Sequence, residues 1–258
     1  PADNQAKACY HQQGLMRRYD VIAEISEAMG SLGWQPYQSD HEDAHGQFEM
    51  NWAYDSAMLT ADRHTFFKFM AKSVAEKHGL RATFMPKPFP NVVPTGCHLH
   101  VSLWRDGANL FHDDAGELGL SPLAYHFLGG ILAHAQAFAA LTNPTVNSYK
   151  RTNPPVGPTG APLGVGANAI SYGGGNRTHL VRIPAPGRFE IRIGDGAANP
   201  YLMPAAYLAA GLDGVARKTD PGQRLDIHMG EEGRDLKDLR RLPGNLLDAV
   251  RALGASDV

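Results

Sequence analysis

Residues 188–193 read Arg-Phe-Glu-Ile-Arg-Ile, charged and apolar in strict alternation. A period of two puts Phe189, Ile191 and Ile193 on one face of a strand and Arg188, Glu190 and Arg192 on the other. Such a segment demands a sheet with one face buried and a row of charges along the opposite face. Cys97 to Trp104 repeats the pattern, with Cys97, Leu99, Val101 and Leu103 on one side and His98, His100, Ser102 and Trp104 on the other. Gln47–Tyr54 repeats it again, with Phe48, Met50, Trp52 and Tyr54 against Gln47, Glu49, Asn51 and Ala53. If these strands share one sheet, its open face gathers Glu49, two imidazoles, Glu190 and several arginines on a concave surface. Asp40-His41-Glu42-Asp43 lies just before the Glu49 strand.

Helices alternate with these strands. Leu15, Tyr19, Ile22, Ile25, Met29 and Leu32 recur at helical spacing, which predicts a helix over 12–32 ended by Gly33. A strand is expected near 34–39. Thr60 is placed to cap a second helix, with Phe67, Met70, Ala71 and Val74 as its apolar stripe and Gly79 as its end. Ala82–Phe84 reads as a short strand, and Arg105-Asp106-Gly107 as a hairpin turn. Ser121–Leu141 is a mostly apolar, buried helix. Residues 143–175 carry too many Pro and Gly for regular structure and read as a functional or disordered loop. Strands follow at Leu180–Ile183 and Arg188–Ile193. A helix starts at Asn199-Pro200 and runs to about Leu212, and a last helical region spans 235–253, broken at Pro243-Gly244. With no repeat and no linker, the 258 residues read as one α+β domain.

Composition removes several alternatives. Apolar residues make up 43% and charged residues 19%, so the chain can bury a core and is not a disordered tail. The net charge of −2 gives no basic field to attract nucleic acid or a membrane surface. Two cysteines, Cys9 and Cys97, exclude a disulfide scaffold and a four-thiolate zinc site. No apolar run approaches the roughly 18 residues of a membrane span, and no signal peptide is visible. The chain opens on Pro-Ala-Asp rather than Met, which reads as a processed or truncated chain.

Carboxylates with one or two imidazoles and no thiolate favour Mg²⁺ or Mn²⁺, with Zn²⁺ still open. Arg151, Arg177, Arg182, Arg188 and Arg192 suit phosphate or carboxylate groups, which guanidinium grips in a fork. A divalent ion with several arginines on one surface reads as phosphoryl transfer from a nucleotide. Neither a Walker loop nor a G-x-G-x-x-G fingerprint is present, so the two commonest nucleotide sites are excluded. Taken singly, each feature also has a plain structural reading: a solvated glutamate, a surface ion-pair ladder, a flexible insertion. Their coincidence on strand faces favours a common site. A metal-dependent hydrolase built on His-x-His is the rival chemistry, separable by ATP dependence.

Ordered blocks then carry a specific resemblance. They are His41-Glu42…Gly46-Gln47-Phe48-Glu49, Ala82-Thr83-Phe84-Met85-Pro86-Lys87-Pro88, Gly96 through Trp104, Asn143 through Arg151, Asn176-Arg177, Arg182-Ile183-Pro184, Arg188 through Arg192, and Ala197 through Leu202. Together, over about 34–214, they resemble the catalytic domain of the glutamine synthetase family. The His41-Glu42-Asp43 and Gly46–Glu49 wording is closer to the branch of γ-glutamylmethylamide synthetase and other γ-glutamyl-amine ligases. The resemblance implies a curved antiparallel sheet, a half-barrel with helices on its outer face. It also implies ring-shaped homo-oligomers, a dodecamer of two stacked rings, with active sites shared between subunits. The implied reaction joins glutamate to ammonia or an amine through γ-glutamyl phosphate, with ATP as co-substrate and Mg²⁺ or Mn²⁺ as cofactor.

Carried over by motif, Glu42 and Glu49 match ligands of a first metal ion, and His98 and Glu190 match ligands of a second. Glu42 would also bind and deprotonate the incoming ammonium or amine. His100, Ser102, Trp104 and Arg188 match nucleotide-side positions, and Arg177 and Arg182 match the phosphate clamp. Gly96, Arg151 and Arg192 match glutamate-side positions, Arg192 also lying near the transferred phosphoryl group. Glu42, Arg177 and Arg192 are thus the expected catalytic residues.

Departures from the pattern sharpen the expectation. The family's Glu-x-Glu strand and amino-terminal sheet domain do not precede Gln12, so the chain is expected to be truncated at both ends and to lack full activity alone. The family's flap glutamate, six residues after the Arg151 position, is here Gly157. Val93-Pro94-Thr95 replaces a polar Asn-Gly-Ser, and Ala185 stands where a lysine is common. The altered flap suggests an amine larger than ammonia as nucleophile. A non-catalytic paralogue that binds nucleotide or glutamate as a regulator is the alternative. Absent targeting signals and ATP use lead to an expected cytoplasmic location.

Overall fold

The computed structural model describes residues 9–153, 168–229, 236 and 238–258. The chain falls into two compact units, one running up to Phe84 with Pro88–Val93, the other comprising Met85–Lys87 and Pro94–Val258.

In the first unit the expected 12–32 helix is two helices, α1 (Gln12–Met16) and α2 (Tyr19–Ser31). The break falls at Arg17–Arg18, where Arg18 leaves helical geometry at φ −129°. The apolar spacing runs on through Tyr19, but Tyr19 is exposed and the buried face begins only at Val21 and Ile22. Periodicity without burial did not hold the helix continuous. Both long helices of this unit end in the same motif. Gly33 at φ +75° lets Trp34 N–H reach the Met29 carbonyl at 3.0 Å, and Gly79 at φ +70° lets Leu80 N–H reach Ala75 at 2.8 Å.

Strands β1 (Pro36–His41) and β2 (Phe48–Trp52) form an antiparallel pair that sets Asp40 opposite Glu49 and His41 opposite Phe48. Helix α3 (Ala57–Lys77) starts earlier than expected, because Ser56 rather than Thr60 is its cap, its hydroxyl accepting from Leu59 N–H at 3.4 Å. Val21, Ile25 and Met29 of α2 pack with Met70 and Ala71 of α3 around Trp34, with Trp52, Phe67 and Val74 against them. The Trp34–Trp52 rings are 5.7 Å apart. The expected strand at Ala82–Phe84 is irregular chain. Phe84 is tied to the core by its ring against Phe67 rather than by a ladder.

The second unit holds a four-stranded sheet in the order β3 (Leu99–Val101), β8 (Arg188–Ile191), β7 (Val181–Ala185), β6 (Tyr172–Gly173). Three of these strands are antiparallel neighbours, but β6 runs parallel to β7, so the sheet is mixed rather than purely antiparallel. The loop 174–180 doubles back between them, and Asn176 Oδ1 stabilises it by accepting from Thr178 N–H at 2.9 Å and Thr178 hydroxyl at 2.7 Å. Glu49 lies on the separate β1–β2 pair, so the three polar strand faces do not share one sheet as expected.

A hairpin, β4 (Trp104–Arg105) and β5 (Ala108–Asn109), turns at Asp106 and Gly107, both at positive φ as a two-residue hairpin requires. Helix α4 (Pro122–Thr142) packs on α6 (Leu202–Arg217) and α7 (Leu246–Gly254). The α4–α6 crossing is so close that a Cβ on Gly130 would lie 2.0 Å from the Ala210 carbonyl. Phe127 of α4, Phe111 and Phe189 of β8 stack beneath the sheet, with Phe111–Phe189 centroids 4.8 Å apart. The apolar side of the alternating strands is thus buried, and the charged side is left free for a site.

Within the Pro- and Gly-rich stretch, α5 (Val146–Thr152) was not expected. Its start is fixed by a reciprocal cap in which the Thr145 and Ser148 side chains each accept from the other's backbone N–H. The composition of a long window hid a short, well-capped helix. Gly157 lies outside the described residues. The final helix is shorter than expected, beginning at Leu246 behind the Asn245 cap.

Candidate active site

The polar row forms as the alternation demanded. Strand register puts His100 and Arg182 opposite Glu190, one on each side. Glu190 is 3% exposed, and a lone buried carboxylate would be very costly. It is met from three directions, by two guanidinium groups and an imidazole. Arg182 Nη1 donates to Oε2 at 2.7 Å, Arg192 Nη1 donates to Oε1, and His98 Nδ1 lies 3.2 Å from Oε1. Burial by itself would raise the Glu190 carboxyl. The hydrogen bond from His98, the Arg192 charge and the hydrogen bond from Arg182 outweigh it and hold the group well below the ordinary carboxylate range.

His98 moves the opposite way. Burial, helped by the Arg192 and Arg151 charges and resisted by Glu190, pushes it down to about 4. At neutral pH the ring is therefore neutral. Nδ1 faces both Glu190 Oε1 at 3.2 Å and Arg192 Nη1 at 3.3 Å, and in the tautomer that donates from Nδ1 to the carboxylate the Nε2 lone pair is open to an electrophile. His100 is also lowered, by burial and then by Arg188, Arg182 and Arg192, against Glu190. As a neutral ring it accepts from Arg188 Nη1 at 3.3 Å. Trp104 is half exposed on the hairpin, and its indole N–H donates to Ser102 Oγ at 2.9 Å.

Arg151 is buried on α5, where it donates through Nη1 to the Ile193 carbonyl at 2.7 Å and through Nη2 to the Arg192 carbonyl at 2.9 Å. It therefore clamps the two residues that follow β8, Arg192 and Ile193. Gly96 fits beneath it. A Cβ there would lie 2.8 Å from both Arg151 Nη2 and His98 Nε2, so only glycine leaves both groups where they are. Arg177 is exposed on the β6–β7 loop, and its charge is felt by Arg192. The second unit thus brings together His98, His100, Arg182, Arg188, Glu190 and Arg192, with Gly96 and Arg151 behind them. In the first unit, Glu42 follows β1 at the turn, its N–H donating to the Gln47 carbonyl at 2.8 Å. Glu49 is exposed on β2 and accepts from Asn51 Nδ2 at 3.1 Å.

Several residues that serve this site were not singled out from the sequence. Asn143 donates to the Ile193 carbonyl at 2.9 Å and to Asp195 Oδ2 at 3.0 Å, completing the buried anchor around Arg151. Asn147 brackets Lys87, accepting from its N–H at 2.8 Å and donating to its carbonyl at 3.0 Å. The signal was present in the Asn143–Arg151 block, whose spacing on one short helix sends Asn147 and Arg151, four residues apart, to one face. Among the described residues, no three His, Cys, Asp or Glu side chains are grouped closely enough to hold a metal ion by themselves. His98 and Glu190 are two side chains of metal-donor type lying side by side.

The sequence profile described as "Glutamine synthetase, catalytic domain" matches residues 2–258. The chain belongs to the glutamine synthetase catalytic-domain family. A glutamine synthetase of Rhizobium meliloti (strain 1021) is 59% identical over 254 residues, covering 96% of this chain and 57% of that protein. A glutamate–methylamine ligase of Methyloversatilis universalis is 43% identical over 266 residues, covering 100% of this chain and 59% of that protein. Among solved structures, one titled "GmaS/ADP complex-Conformation 1" is 64% identical with a TM-score of 0.93, covering 100% of this chain and 59% of that one. This glutamine synthetase-family chain therefore spans under three fifths of the length of these relatives. The α+β architecture is shared with the GmaS structure. No helix among the described residues is long and apolar enough to cross a membrane.

Proposed function

We propose that the chain is the catalytic portion of an ATP-dependent ligase that joins the γ-carboxyl of glutamate to ammonia or an amine by way of γ-glutamyl phosphate. The observation that carries this reading is the buried, ionised Glu190 held between His98, Arg182 and Arg192. It sets two residues of metal-donor type among arginines suited to phosphate, in a family whose named members include a glutamine synthetase and a glutamate–methylamine ligase.

In the second unit, His98 and Glu190 would hold one Mg²⁺ or Mn²⁺, whose role is to neutralise the nucleotide phosphates. The donors suit such an ion because a neutral His98 ring carries one lone pair and Glu190 is anionic; the ion would compete with Arg182 and Arg192 for the carboxylate. His100, Ser102, Trp104, Arg182 and Arg188 take the nucleotide side. Arg177 and Arg182 clamp phosphate. Gly96, Arg151 and Arg192 serve the glutamate side, Arg192 acting on the transferred group and Arg151 by fixing the chain that bears it. In the first unit, Glu42 and Glu49 hold another ion, and Glu42 receives the proton of the incoming ammonium or amine. We read residues 1–258 as one catalytic domain with a half-barrel sheet, acting in a cytoplasmic, ring-shaped homo-oligomer, by family a dodecamer.

The acceptor is proposed to be an alkylamine, since Gly157 stands at the flap glutamate position and a methylamine ligase is among the relatives. The test is phosphate release by the full-length protein with ATP, glutamate and Mg²⁺ against ammonia, methylamine and ethylamine. Turnover strictly dependent on ATP and fastest with an alkylamine is expected. Turnover with ammonia alone would overturn the acceptor, and no ATP-dependent turnover with any acceptor would overturn the ligase.

A further inference from the structure

Arg177 occupies one exposed position between two residues that are tied down. On its amino-terminal side, Asn176 Nδ2 donates to the Ile227 carbonyl at 2.8 Å. On the other side, the Thr178 hydroxyl accepts from Met229 N–H at 2.9 Å while donating to Asn176 Oδ1 at 2.7 Å. The chain at Gly222–Met229 is attached at two further points, Leu225 N–H to the Tyr172 carbonyl at 3.1 Å and Tyr172 hydroxyl to the Gly222 carbonyl at 2.9 Å. It approaches the sheet so closely that a Cβ on Gly173 would lie 2.8 Å from the Leu225 carbonyl. From the sheet side, Arg182 Nε holds the Gly175 carbonyl at 2.9 Å. Thr178 and Met229 are buried where they meet.

We propose that Gly222–Met229 is a strap that aims the Arg177 side chain, and that Asn176 and Thr178 are the positioning residues through which it acts. The idea rests on the reading of Arg177 as a phosphate clamp. Neither residue needs to touch substrate. Each spends its side chain on the strap, so the backbone on both sides of Arg177 is fixed, and the loss in aiming a long, rotamer-rich guanidinium is reduced. A loop with only local hydrogen bonds would leave Arg177 to search, and a clamp that searches is weaker toward a phosphoryl group in flight.

The experiment uses the full-length protein in the ATP-, glutamate- and amine-dependent assay, with Arg177→Lys, Arg177→Ala, Thr178→Val, Thr178→Ser, Asn176→Asp and the double variant Arg177→Lys/Thr178→Val. Loss of one such hydrogen bond corresponds to about tenfold. Thr178→Val and Asn176→Asp are expected to raise KM for ATP and lower kcat by about that factor while leaving KM for glutamate unchanged. Thr178→Ser, which keeps the hydroxyl, is expected to stay within about twofold of the parent. In the Arg177→Lys background, adding Thr178→Val is expected to cost little more, because the two act through one group. Full additivity, or wild-type kinetics in Thr178→Val with Arg177→Lys impaired, overturns the strap and leaves the clamp reading standing. Wild-type kinetics in Arg177→Lys and in Arg177→Ala overturns the clamp itself. If Thr178→Val fails to fold, Asn176→Asp decides by the same comparison.

Discussion

Two regions of this molecule offer carboxylates on a strand's polar face, and they prepare them differently. On β2, Glu49 is exposed, with Asn51 beside it. On β8, Glu190 is buried and is met by two guanidinium groups and an imidazole. The difference is one of environment, since both sequences alternate with a period of two. Burying Glu190 costs desolvation that the fold offsets with Arg182 and Arg192, so this carboxylate is fixed in charge and direction before anything binds. Glu49 remains hydrated and adaptable. A charge buried in the core is held in place by its partners, and one left at the surface keeps its water and its freedom to move.

The largest expected effect breaks the buried side of this comparison. Glu190→Gln leaves Arg182 and Arg192 without their anion, and a denaturant melt should show a loss of about 3–5 kcal/mol. A loss below about 1 kcal/mol would mean the arginines rehydrate freely and the cluster is not prepared by burial. Next, Arg151→Met removes the donor that holds the Arg192 carbonyl, an expected cost of about 2 kcal/mol by the same melt, with KM for glutamate raised in the full-length enzyme. Gly96→Ala should cost somewhat less, about 1–2 kcal/mol, but shift the divalent-ion dependence of phosphate release to higher concentration, since the new Cβ strikes His98 and Arg151. An unchanged metal titration would separate His98 from ion binding.

Acid titration compares the two regions directly. His98 in the second unit and His64 on α3 in the first are both pushed down to about 4, chiefly by burial. The folded state refuses a proton that the unfolded chain, with an ordinary histidine value near 6.5, accepts. Stability should therefore be flat above about pH 6.5 and fall as the pH drops from there toward 4. Below about 4.5 the loss steepens as Glu190, held low in the fold, is protonated more readily in the unfolded chain. His98→Gln should remove part of the slope between pH 6.5 and 4 and His64→Gln another part; a slope unchanged by both would show that other groups set the acid limit. The smallest expected change is in Glu49→Gln, whose melt should match the parent while ion-dependent activity of the full-length enzyme is lost. A destabilised Glu49→Gln would erase the contrast between the two carboxylates.

The strand alternation, the Asp106-Gly107 turn and the glycine stops at Gly33 and Gly79 were all legible in the sequence, because each rests on local geometry. Two of the misreadings share one cause, which is that local pattern does not report burial, and the third came from reading composition over a long window. The 12–32 periodicity ran past the buried face, so one helix was expected where two occur. The Ala82–Phe84 run read as a strand, but its place is secured by a ring contact. The Pro- and Gly-rich window concealed α5, whose reciprocal cap takes only Thr145 and Ser148. Arg151, Arg182 and Arg192 stood out by their motifs and Asn147 carried a signal in its helical spacing from Arg151, whereas Asn143 and the strap residues act through long-range hydrogen bonds that no spacing encodes.

The sequence by itself determined which residues face together along each strand, because the backbone alternates side chains whatever the surroundings. It also determined the family, through blocks whose order chance does not supply. Only the tertiary structure decided that β6 joins the sheet parallel to β7 and that Glu49 and Glu190 lie in separate sheets. It alone decided that Glu190 is an ionised, buried anion and His98 a neutral ring. Those states depend on desolvation and on charges brought within a few ångströms from distant parts of the chain. Such energies exist only after the chain has folded.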